Sequence, residues 1–258
     1  MTRLRLDAYA EARAQRRRED ESRKWWILLC LQNETMTRVN SILNKLQRMA
    51  TLAFENAVRL HEDAVLLFEE DRIPSSLHTS ALSIEELGKY YLIEEFLFQS
   101  IGGVEYTEKE LQEWLQMSFS HVAKQRWFAR RAYHTFVSQT LVGILQSGEL
   151  EAIKQKATYV GFPRKKKGID FDKRVRTPFR TSRKRSMDFI TAVNDYLIVM
   201  SLATRKGVYI GDFAVPEIDD WLAKQSFEQH LRELWPHMRP STKRHIAEIE
   251  RLEDDPER

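Results

Sequence analysis

The feature that most restricts the fold is a set of apolar residues that recur at steps of three and four between positions 36 and 70. They are Ile42, Leu46, Met49, Ala53, Ala57, Leu60, Ala64 and Leu67. This spacing places them on one face of a long α-helix. The polar stretch at 71–76 interrupts the pattern, and Ser75 or Ser76 is the predicted N-cap of a second helix over 77–100. Gly102 and Gly103 then end that helix.

The rest of the chain has the same helical character. Thr107 and Glu110 form a predicted capping box at the start of a helix over 108–118, which continues or bends into 121–146. Further helices are predicted over 150–159, 182–204 and 216–234, followed by a last polar helix. Glycine and proline are scarce, at 9 and 7 residues, and no stretch alternates as a β-strand does. The sequence predicts an all-α bundle of four main helices over 36–206, a charged N-terminal arm over 1–35 and a helical extension over 207–258.

Composition excludes several classes of protein. A single cysteine, Cys30, excludes a disulfide framework and a cysteine zinc site and favours a reducing compartment. The N-terminus lacks the continuous apolar core of a signal peptide. The apolar run at 25–31 is too short to cross a bilayer. We therefore expect a cytoplasmic protein without membrane association.

Charge is concentrated in one loop, over 163–185. Between Arg164 and Arg185 lie eleven basic and two acidic residues, so this segment carries +9 while the whole chain carries +3. Such density predicts a polyanion contact, and RNA is the expected partner, although many charge runs are only solvated loops. The candidate nucleic-acid-binding residues are Arg164, Lys165, Lys166, Lys167, Arg183, Lys184 and Arg185.

The second helix carries an unusual charged segment, at 80–90. Helical spacing predicts that Glu85 and Lys89 pair on one face, whereas Glu86 points about 100° away from Glu85. Gly88 costs about 1 kcal/mol relative to alanine inside a helix, which indicates that a neighbouring helix or a ligand approaches closely there. The alternative is a solvated Glu–Lys pair on an ordinary amphipathic helix.

Two basic residues follow at 121 and 124. If helices two and three fold back about Gly103, His121 reaches the level of Glu86, and His121 and Lys124 share one face. Glu85, Glu86, Lys89, His121 and Lys124 are therefore the candidate catalytic residues, suited to acid–base chemistry or phosphate binding. The alternative is that His121 packs near a helix start and Lys124 is solvated.

Four blocks carry a resemblance to a known family. They are residues 59–64, residues 80–89 with Glu-Glu-Leu-Gly-Lys, the His-x-x-Lys of 121–124, and Ala-Thr-Tyr-Val-Gly-Phe at 157–162. In this order they resemble the abortive infection V (AbiV) family of the HEPN superfamily, over about residues 45–200. The resemblance implies a bacterial antiphage protein, an up-down helical bundle, homodimerisation and descent from metal-independent ribonucleases.

The chain departs from the superfamily at one point. HEPN ribonucleases carry an arginine followed four to six residues later by histidine, near the start of the last core helix. Arg72 with His78, Arg232 with His237 and Arg239 with His245 are pairs with this spacing, and they lie elsewhere. His121 is therefore the substitute candidate for a catalytic base.

Two functions remain open on these residues. The first is a toxic ribonuclease in which His121 acts on the 2′-hydroxyl, Lys89 and Lys124 contact the phosphate, and the basic loop holds the backbone. The second is a non-catalytic module that binds a phage protein or a translation component. A ferritin-like metal bundle is excluded because no histidine follows a glutamate by three positions. No cofactor and no metal are expected.

A homodimer is also expected from the residues themselves. The apolar run at 25–31 and the helix that carries Gly88 offer more apolar surface than a monomeric bundle needs.

Overall fold

The computed structural model describes residues 34–132, 138–162, 164–165, 168–207 and 215–251. The apolar run at 25–31 and the arm before it lie outside these ranges. The described helices are α1 (Glu34–Glu69), α2 (Ile73–Ile101), α3 (Glu108–Met117), α4 (His121–Ala132), α5 (Gln139–Ser147), α6 (Glu149–Thr158), α7 (Arg183–Arg205), α8 (Pro216–Leu222), α9 (Gln225–Leu234) and α10 (Pro240–Arg251). Two two-residue strands, β1 (Arg164–Lys165) and β2 (Gly168–Ile169), pair antiparallel inside the basic loop. The predicted all-α bundle is confirmed.

Helix α2 is the centre of the bundle. Seventeen of its 29 residues are buried, and α1, α4, α6 and α7 all pack against it. Helices α1 and α2 form an antiparallel hairpin: Ser83 Oγ donates to the Ala57 carbonyl at 2.7 Å and Ser76 Oγ to the Ala64 carbonyl at 2.8 Å. Residues 215–251 contribute to the same hydrophobic core through Ile218, Leu231 and Ile249, among others.

The start of α2 differs from the prediction. The helix begins at Ile73, with Pro74 in its first turn, where a missing backbone N–H costs nothing. Arg72 precedes the helix and makes no side-chain cap. Ser76, a predicted N-cap, instead ties α2 to α1 and lies 3.0 Å from the Ser186 hydroxyl of α7.

The stretch over 108–146, predicted to continue or bend after 118, contains three described helices, α3, α4 and α5. The capping box of Thr107 and Glu110 opens α3 as expected. Tight turns at 118–120 then end α3, and the Ser120 hydroxyl accepts from the Ala123 N–H at the start of α4. Helix α3 runs back along α2, since Trp114 Nε1 donates to the Leu92 carbonyl at 2.9 Å. Helix α4 reverses again and runs in the same direction as α2.

Gly88 lies where α2 and α4 approach most closely. A Cβ atom built on Gly88 would lie 1.8 Å from the Lys124 carbonyl oxygen, a distance that no real Cβ adopts. The close approach predicted at Gly88 is therefore present, and the neighbour is α4 of the same chain. The Gly88 position is consequently buried within the bundle, so it offers no surface to a second copy.

A layer of buried polar side chains joins α1 to α7. His61 Nε2 lies 2.9 Å from Asn194 Oδ1, and Asn194 Nδ2 donates to the Trp235 carbonyl at 3.2 Å. His61 is completely buried, and this burial lowers its pKa to about 4, against a smaller opposing effect of the Asn194 hydrogen bond. Next to it, burial raises the pKa of Asp195 to about 6 despite hydrogen bonds from Thr242 and the Arg239 N–H.

We predict that Gly88→Ala destabilises the fold by about 1–3 kcal/mol or more, because the added methyl group forces α4 away from α2. The gain in helix propensity, about 1 kcal/mol, is smaller. Gly143→Ala in α5 is the matched control, since a Cβ there meets nothing within 4 Å, and we expect it to be neutral or stabilising. Urea unfolding of both variants measures the difference. Equal effects of the two substitutions would contradict the close approach.

We predict that His61 makes the fold sensitive to acid. A folded-state pKa below the unfolded value means that stability is complete above pH 6.5 and is lost as the pH falls towards 4. The separation between 6.5 and about 4 corresponds to about 3 kcal/mol. His61→Gln removes this acid-dependent loss of stability. The raised pKa of Asp195, which favours the fold at low pH, remains in the variant. When the pH is lowered from 8 to 4, the wild type should therefore lose about 3 kcal/mol more of its free energy of unfolding than His61→Gln does. A pH-independent difference in urea unfolding would contradict this.

Candidate functional site

A buried carboxylate, that of Glu85, is the centre of the site. Glu85 is 1% exposed and lies on the face of α2 that meets α4 and α6. Its Oε2 atom lies 2.7 Å from His121 Nδ1, and its Oε1 atom accepts from Gln125 Nε2 at 2.8 Å and from Lys154 Nζ at 2.7 Å. Three elements thus bring one anion and its partners together. We call Glu85, His121, Gln125, Lys154 and Glu151 the Glu85 cluster.

The partners keep Glu85 ionised. Burial alone would raise the pKa of this carboxyl group, but the hydrogen bonds from Lys154, Gln125 and His121, together with the Lys154 charge, hold it below its usual value. Lys154 is itself 5% exposed and also donates to Glu151 Oε2 at 3.1 Å. The buried charge is therefore compensated by hydrogen bonds and by an opposite charge, which is the condition for burying an ion.

His121 is the most exposed member of the cluster. Its side chain is 53% exposed while its Nδ1 atom is held by the carboxylate. Because an ionised carboxylate only accepts hydrogen bonds, Nδ1 carries the proton and Nε2 presents its lone pair outward. A histidine oriented in this way has the geometry of a general base.

The other predicted catalytic residues lie apart from this contact. Lys89 pairs with Glu86 at 3.6 Å, so the expected Glu85–Lys89 pair is replaced by a pair on a neighbouring face of α2. Both side chains are partly exposed. Lys124 is buried beside Gly88, and its ammonium forms neither a hydrogen bond nor an ion pair with any described residue. Of the predicted residues, the structure brings Glu85 and His121 into contact, whereas Lys89 pairs with Glu86.

Sequence reasoning missed Gln125, Lys154, Glu151 and His78. Lys154 lies in the apolar stripe of α6, among Leu150, Ile153 and Ala157, all of which are buried. A lysine at a core position needs a buried partner, and this signal was available in the sequence. His78 accompanies the cluster: its Nδ1 lies 2.9 Å from Thr158 Oγ1, and burial together with the Lys154 charge lowers its pKa.

The cluster also has the spacing of a metal site. Ligand atoms of Glu85, His121 and Glu151 lie within 4.8 Å of one another. In this chain the Lys154 ammonium contacts both carboxylates and supplies the positive charge that a metal ion would bring. A divalent cation would have to displace it, so the donor set fits an internal ion pair better than a metal.

The predicted nucleic-acid-binding residues are spread over the basic loop. Lys166 and Lys167, and the side chains of Arg164 and Lys165, lie outside the described part of the chain. Arg183 is engaged, since it pairs with Asp71 at 2.6 Å and stacks 4.2 Å from the Phe68 ring centre. Lys184 is exposed, and Arg185 lines a cleft beside the loop.

Comparison with known proteins gives one match. The sequence model of the AbiV family, a HEPN family, matches residues 45–198, which include every member of the Glu85 cluster. Neither the curated proteins nor the solved structures gave a match. Within the described ranges, no helix is both long enough and apolar enough to cross a membrane.

We predict that Lys154→Met lowers the free energy of unfolding by about 3–5 kcal/mol, because it leaves the Glu85 carboxylate buried without its counter-charge. Adding Glu85→Gln to this variant should restore part of the loss, since the remaining group is then neutral. Lys89→Met is the matched control, and removing its partly exposed pair should cost less than about 1 kcal/mol. Additive effects of Glu85→Gln and Lys154→Met in urea unfolding would show that the two groups are not coupled.

Proposed function

Because the chain belongs to the AbiV family of the HEPN superfamily, we propose that it acts in abortive infection by cleaving RNA without a metal ion. The family indicates antiphage defence, and the reaction is our proposal. The observation that carries it is the 2.7 Å contact between the buried Glu85 carboxylate and the half-exposed His121 ring. A carboxylate that fixes the tautomer and orientation of a solvent-facing imidazole is the arrangement that base catalysis needs.

The proposed reaction is an internal transesterification of RNA. His121 Nε2 removes the proton of a 2′-hydroxyl, and the 2′-oxygen forms a bond to the adjacent phosphorus. The bond from phosphorus to the 5′-oxygen breaks, and the imidazolium returns the proton to that leaving oxygen. The products are a 2′,3′-cyclic phosphate and a 5′-hydroxyl, and neither a metal nor a second substrate is consumed.

Two neighbours of His121 suit an RNA substrate. Lys124 lies one helical turn further along the same face, is buried and has no partner among the described residues, and in this proposal its ammonium contacts the scissile phosphate. Phe119, two residues before His121, is 78% exposed and offers a ring on which an unpaired base can stack. The basic loop supplies positive charge for the rest of the strand.

A second function, binding without catalysis, is favoured by a different observation. In the described part of the chain, seven of the thirteen large exposed apolar residues fall between positions 159 and 179. They are Tyr159, Val160, Phe162, Ile169, Phe171, Val175 and Phe179. Exposed apolar surface in one segment is typical of docking sites, and a phage protein that triggers the response would fit it. A homodimer remains part of the proposal on the family resemblance alone.

We predict that His121→Ala abolishes phage protection and RNA cleavage while the melting temperature changes by no more than a few degrees, because a half-exposed histidine contributes less than about 1 kcal/mol. The assays are plaque counts and cleavage of a labelled RNA in EDTA with analysis of the 3′ ends. His230→Ala is the matched control, since His230 is 50% exposed and contacts the Glu62 carboxylate at 2.8 Å, far from the cluster.

The two functions differ in the outcome. A His121→Ala protein that folds and still protects cells would remove the ribonuclease proposal and leave the binding module. Cleavage that EDTA abolishes would contradict the metal-independent reaction. Protection lost equally in His121→Ala and His230→Ala would show that the assay reports general damage to the fold.

A further inference from the structure

A cleft of about 370 Å³ lies between the basic loop and helices α2 and α6. Its apolar floor includes Leu77 of α2 and Ile153 of α6, both buried in the core. Apart from Val175, its remaining lining is polar, and among the described residues no carboxylate is part of it. Five of the lining residues carry a positive charge: Lys156, Arg174, Arg176, Arg180 and Arg185.

None of these five cationic side chains forms an ion pair with a described residue. Within the described residues, no hydrogen bond or ion pair involves their ammonium or guanidinium groups. Their neighbour Arg183 shows the contrast, because it is held by Asp71. Like charges that converge on one cleft repel each other, and an anion in the cleft would relieve this repulsion. The charge therefore favours a bound anion over a purely structural role.

The backbone that presents these groups is anchored. Gly161 and Arg176 exchange two backbone hydrogen bonds, of 3.2 and 2.8 Å, which close the base of the loop. Thr177 then caps a short 3₁₀-helix, Pro178–Arg180, that packs against α2 and α6. Ser182 caps the first turn of α7, which carries Arg185. An anchored backbone loses little conformational freedom when a ligand binds, so the ordering cost is that of the lysine and arginine side chains alone.

We propose that this cleft binds the triphosphate group of a nucleotide or of an RNA 5′ end. The volume is that of a pocket for one small ligand, whereas the phosphates of a continuous strand need an extended groove. A triphosphate carries about four negative charges at neutral pH, close to the five positive charges of the lining. Arginine forks bind phosphate oxygens in pairs, and the apolar floor suits the attached nucleoside.

The inference goes beyond the proposed ribonuclease reaction and does not depend on it. None of the lining residues of the cleft belongs to the Glu85 cluster. His121→Ala should therefore bind triphosphate as wild type does. A failure of RNA cleavage and a failure of triphosphate binding can thus be told apart.

Calorimetric titration of the full chain tests the site with four probes: ATP, adenosine, and one RNA oligonucleotide with either a 5′-triphosphate or a 5′-hydroxyl end. If the triphosphate belongs to a free nucleotide, we expect ATP to bind and adenosine not to bind. A preference of at least about tenfold for the 5′-triphosphate RNA over the 5′-hydroxyl RNA, without ATP binding, would assign the source to an RNA end. Equal affinity for the two RNAs with no binding of ATP would overturn the proposal.

Matched variants separate the cleft from general charge. Arg174→Ser with Arg180→Ser removes two charges from the lining and should weaken triphosphate binding at least about tenfold. Arg72→Ser with Lys173→Ser removes two exposed charges that lie outside the lining, and should weaken binding less than about threefold. Circular dichroism melting verifies that both variants fold. Equal weakening by both pairs of substitutions would show that only the overall positive charge attracts the ligand. This result would contradict binding in the cleft.

Discussion

The contact between Gly88 and the Lys124 carbonyl fixes the distance between α2 and α4, and the candidate site depends on that distance. Glu85 lies one helical turn before Gly88, and His121 lies one turn before Lys124. Because the two helices run in the same direction, the backbone contact at one turn sets the 2.7 Å contact at the turn before. Any residue other than glycine at 88 would separate the helices at the level where the carboxylate must reach the imidazole. The glycine is therefore as much a part of the site as the charged residues are.

Helical periodicity and local signals predicted much of the fold, including the two long helices, the capping box at Thr107 and the close approach at Gly88. The position of His121 beside the Glu85 turn of α2 was also predictable, because α3 runs back along α2 from the turn at Gly103. The reversal at 118–120 was not, since it rests on a single serine cap and a short run of turns. That reversal carries Lys124 back towards Gly88 and away from the pair that Lys89 forms with Glu86. Spacing along one helix predicts neighbours well, but it does not show where a helix changes direction.

The residue that balances the charge of Glu85 comes from a distant part of the sequence. Lys154 is 69 residues away, on a helix whose amphipathic pattern gives no information about which neighbour it meets. Only the packing of α6 against α2 brings the two charges to 2.7 Å in a buried position. A buried ion pair of this kind contributes little net stability compared with apolar residues of the same shape. Its effect is instead to specify one arrangement of α2, α4 and α6, since the other arrangements leave a charge without a partner.

Helices α2 and α6 connect the Glu85 cluster to the basic cleft. On α2, Leu77 lines the cleft and Glu85 lies two turns further on, about 12 Å along the axis. On α6, Lys154 faces the cluster, whereas Ile153 and Lys156 face the cleft. His78 and Thr158 join the two helices between these positions, with a contact of 2.9 Å. The same two helices therefore position both the counter-charge of Glu85 and part of the lining of the cleft.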